Sequence, residues 1–167
     1  MRHLLKFKTD SARNEFLVKW EADTKTGMQE TFTMESTERP TKKVLDALEM
    51  MGPHLCEIAE LPDGWLEDMT ILGVTITRNE GVQGLVITAT RELEESNAPL
   101  VLNSPHFTDS AYSEGGDGNG KSIYSDECAD AIAELEKLAF DYIDGKEREQ
   151  QQLELTEKPT AVLHALN

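Results

Sequence analysis

Residues Gly115 to Ser122 read Gly-Gly-Asp-Gly-Asn-Gly-Lys-Ser and match the phosphate-binding pattern G-x-x-x-x-G-K-S at every fixed position. In that pattern backbone N–H groups cradle the phosphates, the lysine neutralises them and the serine holds magnesium. The chemistry needs the loop to join a buried strand directly to a helix N-terminus. Here a polar stretch from Ser104 onward precedes the match, and the next helical pattern begins after Ser125 rather than at Lys121. No later hydrophobic strand ends in an acid that could serve a second metal position. The expectation is therefore a glycine-rich linker, with nucleotide binding the last-ranked activity. A calcium loop through Asp117, Asn119 and Asp126 fails similarly: with Gly120 at the turn position, the first ligand position falls on Gly115, where an aspartate is required.

The remaining reactive side chains form no constellation. His3, His54, His106 and His164 are scattered, and the nearness of His54 to Cys56 is not a zinc spacing. There is no G-x-S-x-G elbow. Cys56 and Cys128 each fall in a helical pattern and read as reduced core thiols, with a disulfide between them as the alternative. No catalytic residue, cofactor or metal ligand is assigned.

Charge is the strongest signal. The net charge is −16, but residues 1–43 hold nine Lys or Arg against seven Asp or Glu, while residues 44–167 hold seven against twenty-five. The first part is thus mildly basic at +2 and the rest carries −18. Such a surface repels phosphates and anionic lipid, which argues against direct nucleic-acid binding. The apolar runs, such as Ile71 to Ile76, are far shorter than the roughly 20 residues that cross a bilayer. The start, Met1-Arg2-His3-Leu4-Leu5-Lys6, lacks the apolar core of a secretory signal.

The elements that must carry these residues can be read from periodicity. His3, Leu5 and Phe7 alternate with Leu4, Lys6 and Lys8, Phe16, Val18 and Trp20 repeat that period, and Met28, Phe32 and Met34 do the same among threonines, as half-buried antiparallel strands do. Val44, Leu45, Leu48 and Met51 lie on one helical face that Gly52-Pro53 should stop. A shorter helical turn follows through Leu55 and Ile58. The runs 69–78 and 83–93 flank Asn79-Glu80-Gly81, which is turn chemistry, so they predict a hairpin. Pro99 to Asn103 predicts a further short strand, its proline favouring an edge or a strand start, since proline cannot donate to a ladder. Ser125-Asp126 reads as an N-cap, and Cys128, Ile132, Leu135, Ala139 and Tyr142 form the buried stripe of a long helix. Gly145 is expected to cap that helix.

The fold predicted is α+β: an antiparallel sheet of about five to six strands packed by two main helices. One domain spans 1–145, with a flexible glycine-rich loop over 108–122, and a polar C-terminal tail covers 146–167. An exposed sheet edge leaves pairing between chains open.

Within that tail, Gln152-Leu153-Glu154-Leu155 resembles the short Gln-Leu-x-Leu peptide by which bacterial replication and repair proteins dock on the sliding clamp. Such a peptide sets its leucines in an apolar groove while the glutamine hydrogen-bonds at the rim. The pattern usually continues with an aromatic residue or a leucine, where this chain has Thr156. The resemblance implies Gln152, Leu153 and Leu155 as partner-binding residues.

The segment Ile87-Thr88-Ala89-Thr90-Arg91, with Ser96-Asn97-Ala98-Pro99-Leu100-Val101-Leu102-Asn103-Ser104-Pro105-His106, resembles small acidic proteins of tailed phages and prophages, none with a known activity. That resemblance implies the cytoplasm of a bacterial host cell. Because phage early proteins commonly act by binding host machinery, it favours a non-enzymatic protein that binds a partner in DNA replication, recombination or host take-over. The alternative is an acidic DNA mimic or anti-defence protein, whose carboxylates would have to form one face.

Overall fold

The computed structural model describes residues 1–10, 15–109 and 120–165, with side chains through Lys146 and again at Gln152, Leu153 and Leu155. Three strands open the chain: β1 (Arg2–Asp10), β2 (Glu15–Asp23) and β3 (Gln29–Ser36). Two short helices follow, α1 (Lys42–Glu49) and α2 (Gly52–Ile58), then a 3-10 turn at Trp65–Asp68. The hairpin of β4 (Met69–Asn79) and β5 (Val82–Arg91) comes next, with the short strands β6 (Leu100–Asn103) and β7 (Phe107–Thr108). A long helix, α3 (Asp126–Ala165), ends the described chain.

The strands form one antiparallel sheet in the order β3-β2-β1-β4-β5-β6, with β7 on β5 beside β6. The class is therefore α+β, as the alternation indicated. The β4–β5 turn is tight because Glu80 and Gly81 both take positive φ, 51° and 82°, the pattern of a type I′ turn.

One face of the sheet is the core. Phe7, Val18, Trp20, Val74, Ile76, Leu85 and Ile87 pack in one buried cluster with Val44, Leu48, Leu55, Ile132, Leu135 and Ile143. Fully burying each such side chain is worth about 1.5–3 kcal/mol, so this cluster holds the helices to the sheet. The other face is a set of cross-strand rows. Thr33, Lys19, Lys6, Thr75 and Val86 run across five strands in register.

Two bulges shape the centre, one in β1 between Leu4 and Lys6 and one in β4 between Ile71 and Gly73. The extra residue lets both Leu4 and Phe7 face the core, although they are not an even number of positions apart. Gly73 is there because β1 comes so close. A Cβ on it would lie 2.2 Å from the Phe7 carbonyl oxygen.

Two differences from the sequence reading stand out. Gly52-Pro53 does not only stop a helix; it opens α2, with proline in the first turn where its missing N–H costs nothing. The helix expected to stop at Gly145 runs through it, so the polar tail expected from 146 is helix as far as Ala165. Gly145 keeps negative φ, and Lys146-Glu147-Arg148-Glu149-Gln150 are all good helix formers that carry the turn onward. The loop expected over 108–122 lies outside the described residues from 110 to 119. Among the described residues no helix is long and apolar enough to cross a membrane.

Candidate functional site

Gln152, Leu153 and Leu155 sit on the distal part of α3, beyond Ile143, the last buried residue among those described. All three are exposed, Leu153 at 63% and Leu155 at 70%. On a helix, residues two apart point about 200° from each other, so the two leucines do not share a face. A groove that takes both would have to receive this segment extended. Leu153 also borders a cleft of about 750 Å³ beside Lys8, Phe16, Leu17, Glu38 and Lys146. An ion pair between Lys146 and Glu38 ties α3 to the end of β3 at that point.

The described end of the phosphate-loop match is fastened elsewhere. The Thr108 N–H donates to the Ser122 carbonyl at 2.9 Å, and the Tyr124 N–H donates to the Thr108 carbonyl at 3.0 Å. Gly120 and Ser122 both have positive φ. Lys121 and Ser122 thus belong to an irregular connection that meets β7 through the Thr108–Ile123 bridge, and α3 begins at Asp126. Its cap is Ser125, whose hydroxyl oxygen accepts the Cys128 N–H at 3.2 Å, as the sequence indicated. Acids at Asp126 and Glu127 already occupy the first turn, where they take up the favourable end of the helix dipole and repel a phosphate. Residues Gly115 to Asn119, including the calcium candidates Asp117 and Asn119, lie outside the described residues.

The thiols are not poised for nucleophilic chemistry. Burial, followed by the Glu57 carboxylate, pushes the Cys128 thiol up to about 12. Burial also raises the Cys56 thiol. Tyr124 is pushed up to about 12 by burial and then by Asp109, and its hydroxyl donates to the Gln83 carbonyl at 3.4 Å. His106 uses Nε2 in a 2.9 Å contact with the Thr77 hydroxyl. Among the described residues no group of three or more His, Cys, Asp or Glu is placed to hold a metal ion.

Two features have no local signal in the sequence. The first is at the open end of the sheet. The β1–β4 ladder covers only Lys6 to Lys8, so the strands part towards Leu4. Glu136 of α3 fills the gap: its Oε2 accepts the Leu4 N–H at 2.9 Å and an Arg78 Nη2 hydrogen at 3.2 Å. A shallow cleft of about 400 Å³ opens beside it, lined by His3, Glu21, Arg78, Glu80 and Gln83.

The second is the free edge of β6. Among the described residues only β5 pairs with this strand, through Thr88↔Asn103 to Arg91↔Leu100. Leu100 and Val101 are exposed there. The charge-free sequence Leu-Val-Leu-Asn contrasts with β3 at the other edge, which carries Glu30 and Glu35.

No family model matches the chain, and no curated protein or solved structure is similar to it.

Proposed function

We propose that this chain is a non-enzymatic phage or prophage protein that binds a protein partner in DNA replication, recombination or host take-over, in the cytoplasm of a bacterial host. The observation that carries this reading is the exposure of Leu153 and Leu155 beside Gln152 on α3, past Ile143, the last buried residue among those described. Two large aliphatic side chains displayed this far into solvent suit an apolar groove on another protein. A sliding clamp is the named candidate. Docking in the extended form requires the end of α3 to unwind, and past Ile143 no described hydrophobic side chain is buried to resist that.

Titration calorimetry against a bacterial sliding clamp tests it. The intact chain should bind, and the pair Leu153→Ala with Leu155→Ala should weaken binding at least tenfold. Absence of binding by the intact chain, or equal binding by the variant, rejects the clamp as partner.

A DNA mimic is the second reading, supported by one row on α3. Glu127, Asp130, Glu134 and Asp141 are exposed, and their spacing puts them along one side of the helix. The magnitudes rank it second. The row offers about one charge per 5.4 Å turn, whereas a DNA strand offers one phosphate per roughly 3.4 Å, and Lys137 interrupts it. Glu127→Gln, Asp130→Asn and Glu134→Gln together should abolish any competition with duplex DNA for a basic groove if mimicry is the role.

A further inference from the structure

The edge of β6 can be resolved atom by atom. Ile87 and Ser104 are joined by a bond from the Ser104 N–H to the Ile87 carbonyl at 2.8 Å. The Ile87 N–H in turn donates to the Ser104 hydroxyl at 2.9 Å. Antiparallel ladders alternate bonded and non-bonded pairs, so the next bonded pairs are Ala89 with Leu102 and Arg91 with Leu100. The pairs Thr88–Asn103 and Thr90–Val101 are then the non-bonded ones. The backbone N–H and C=O groups of Val101 and Asn103 therefore point away from β5, off the edge of the sheet. Among the described residues no strand takes them up.

The surroundings state what kind of chain would. The Val101 side chain is 57% exposed, and its row on the outer face contains Thr90 and Thr70, both uncharged. The connection from β5 to β6 carries Glu92, Glu94 and Glu95, all exposed. Between Val82 and Asp109 the only lysine or arginine is Arg91. It is already engaged, stacked 4.2 Å over the Trp65 ring and 3.6 Å from the Asp68 carboxylate.

We propose that β6 accepts an extended, lysine- or arginine-flanked segment of a partner protein as an additional antiparallel or parallel strand. The partner's backbone bonds to Val101 and Asn103, its small β-branched residues lie over the uncharged row, and its basic flank meets Glu92, Glu94 and Glu95. This is strand addition to a sheet edge, with main-chain bonds giving affinity and charge giving selection. It goes beyond the α3 reading and does not depend on Gln152, Leu153 or Leu155.

The register supplies an unusually clean test. Proline at 101 removes an N–H that no β5 carbonyl uses, so Val101→Pro should leave the sheet intact while blocking a partner strand. The probe is a synthetic peptide of alternating valine and threonine with paired lysines at each end, followed by fluorescence anisotropy and by amide shifts in β6. Binding should be salt-dependent, with the largest shifts at Val101 and Asn103, and at least tenfold weaker in Val101→Pro at unchanged circular dichroism. A peptide N-methylated on the edge-facing residues should fail against the unaltered protein, a comparison that needs no variant. The proposal is overturned if the lysine-flanked peptide does not bind, if N-methylation leaves its affinity unchanged, or if a glutamate-flanked peptide binds as well. Sedimentation showing that β6 instead pairs two copies of this chain would also overturn it.

Discussion

Glu136 and Leu4 meet across the full depth of the fold: the helix carboxylate accepts the strand's backbone N–H at 2.9 Å. Leu4 is fully buried and lies where β4 has already parted from β1. Its N–H would otherwise have no partner. A buried donor left unsatisfied costs about 1–3 kcal/mol. Glu136→Ala should therefore lower the unfolding free energy by about that amount, read from urea denaturation. Glu136→Gln keeps an oxygen acceptor and should cost clearly less, although it also weakens the contact with Arg78. Equal losses in the two variants would show that the Leu4 contact is not what matters.

Gly73 makes the complementary prediction at the other end of the β1–β4 contact. A methyl group there meets the Phe7 carbonyl oxygen and the Lys8 Cα, both backbone atoms that cannot rotate away. Gly73→Ala should destabilise by about 1–3 kcal/mol, the usual cost of overpacking, and should broaden or shift the amide signals of Phe7 and Lys8. Unchanged stability would mean that the two strands do not approach as closely as this register requires.

Most of the sheet is legible in the sequence because alternation reports burial directly. Phe16, Val18 and Trp20 alternate and are all buried. The centre is less legible because bulges break the period, and Leu4 with Phe7 does not look like one face until the bulge is known. The Ser125 cap is local chemistry and can be read within a few residues. The Leu4–Glu136 bond is not local at all, and nothing near Glu136 distinguishes it from the other acids of α3. The outward backbone groups of Val101 and Asn103 depend on register, which Ser104 sets through its bonds to Ile87. Gly145 misleads because glycine commonly ends helices, whereas here the helix formers that follow decide the outcome.

That last difference predicts a sign. Within a helix, glycine is worse than alanine by about 0.5–1 kcal/mol, and a Cβ at Gly145 meets nothing within 4 Å. Gly145→Ala should therefore stabilise the protein by up to that amount and raise helicity. If α3 instead ended at Gly145 in the left-handed conformation, the same substitution would destabilise. Thermal unfolding followed by circular dichroism at 222 nm separates the two outcomes by direction alone.

Cys128 and Tyr124 set the alkaline limit of the fold. Both are pushed up to about 12 in the folded chain, chiefly by burial, from ordinary values of 9.0 and 10.0. Each is an acid whose neutral form the native state favours. Below about pH 9 both states keep these protons, and the two groups add no pH dependence. As pH rises above 9.0 the unfolded chain releases the thiol proton while the folded chain holds it, and above 10.0 the phenol follows. The unfolded state then binds fewer protons, so stability must fall with increasing pH. Urea midpoints should be level across neutral pH with respect to these groups and decline from about pH 9 towards 12. Cys128→Ser removes the larger thiol share, so the decline between pH 9.0 and 10.0 should become clearly shallower, with Cys56 alone left to contribute there before Tyr124 takes over. A disulfide reagent at pH 8 gives an independent check. Cys56, only half-buried, should react in the native protein, and Cys128 only after denaturant is added. Rapid reaction of both thiols would show that α3 does not bury Cys128 as the packing requires.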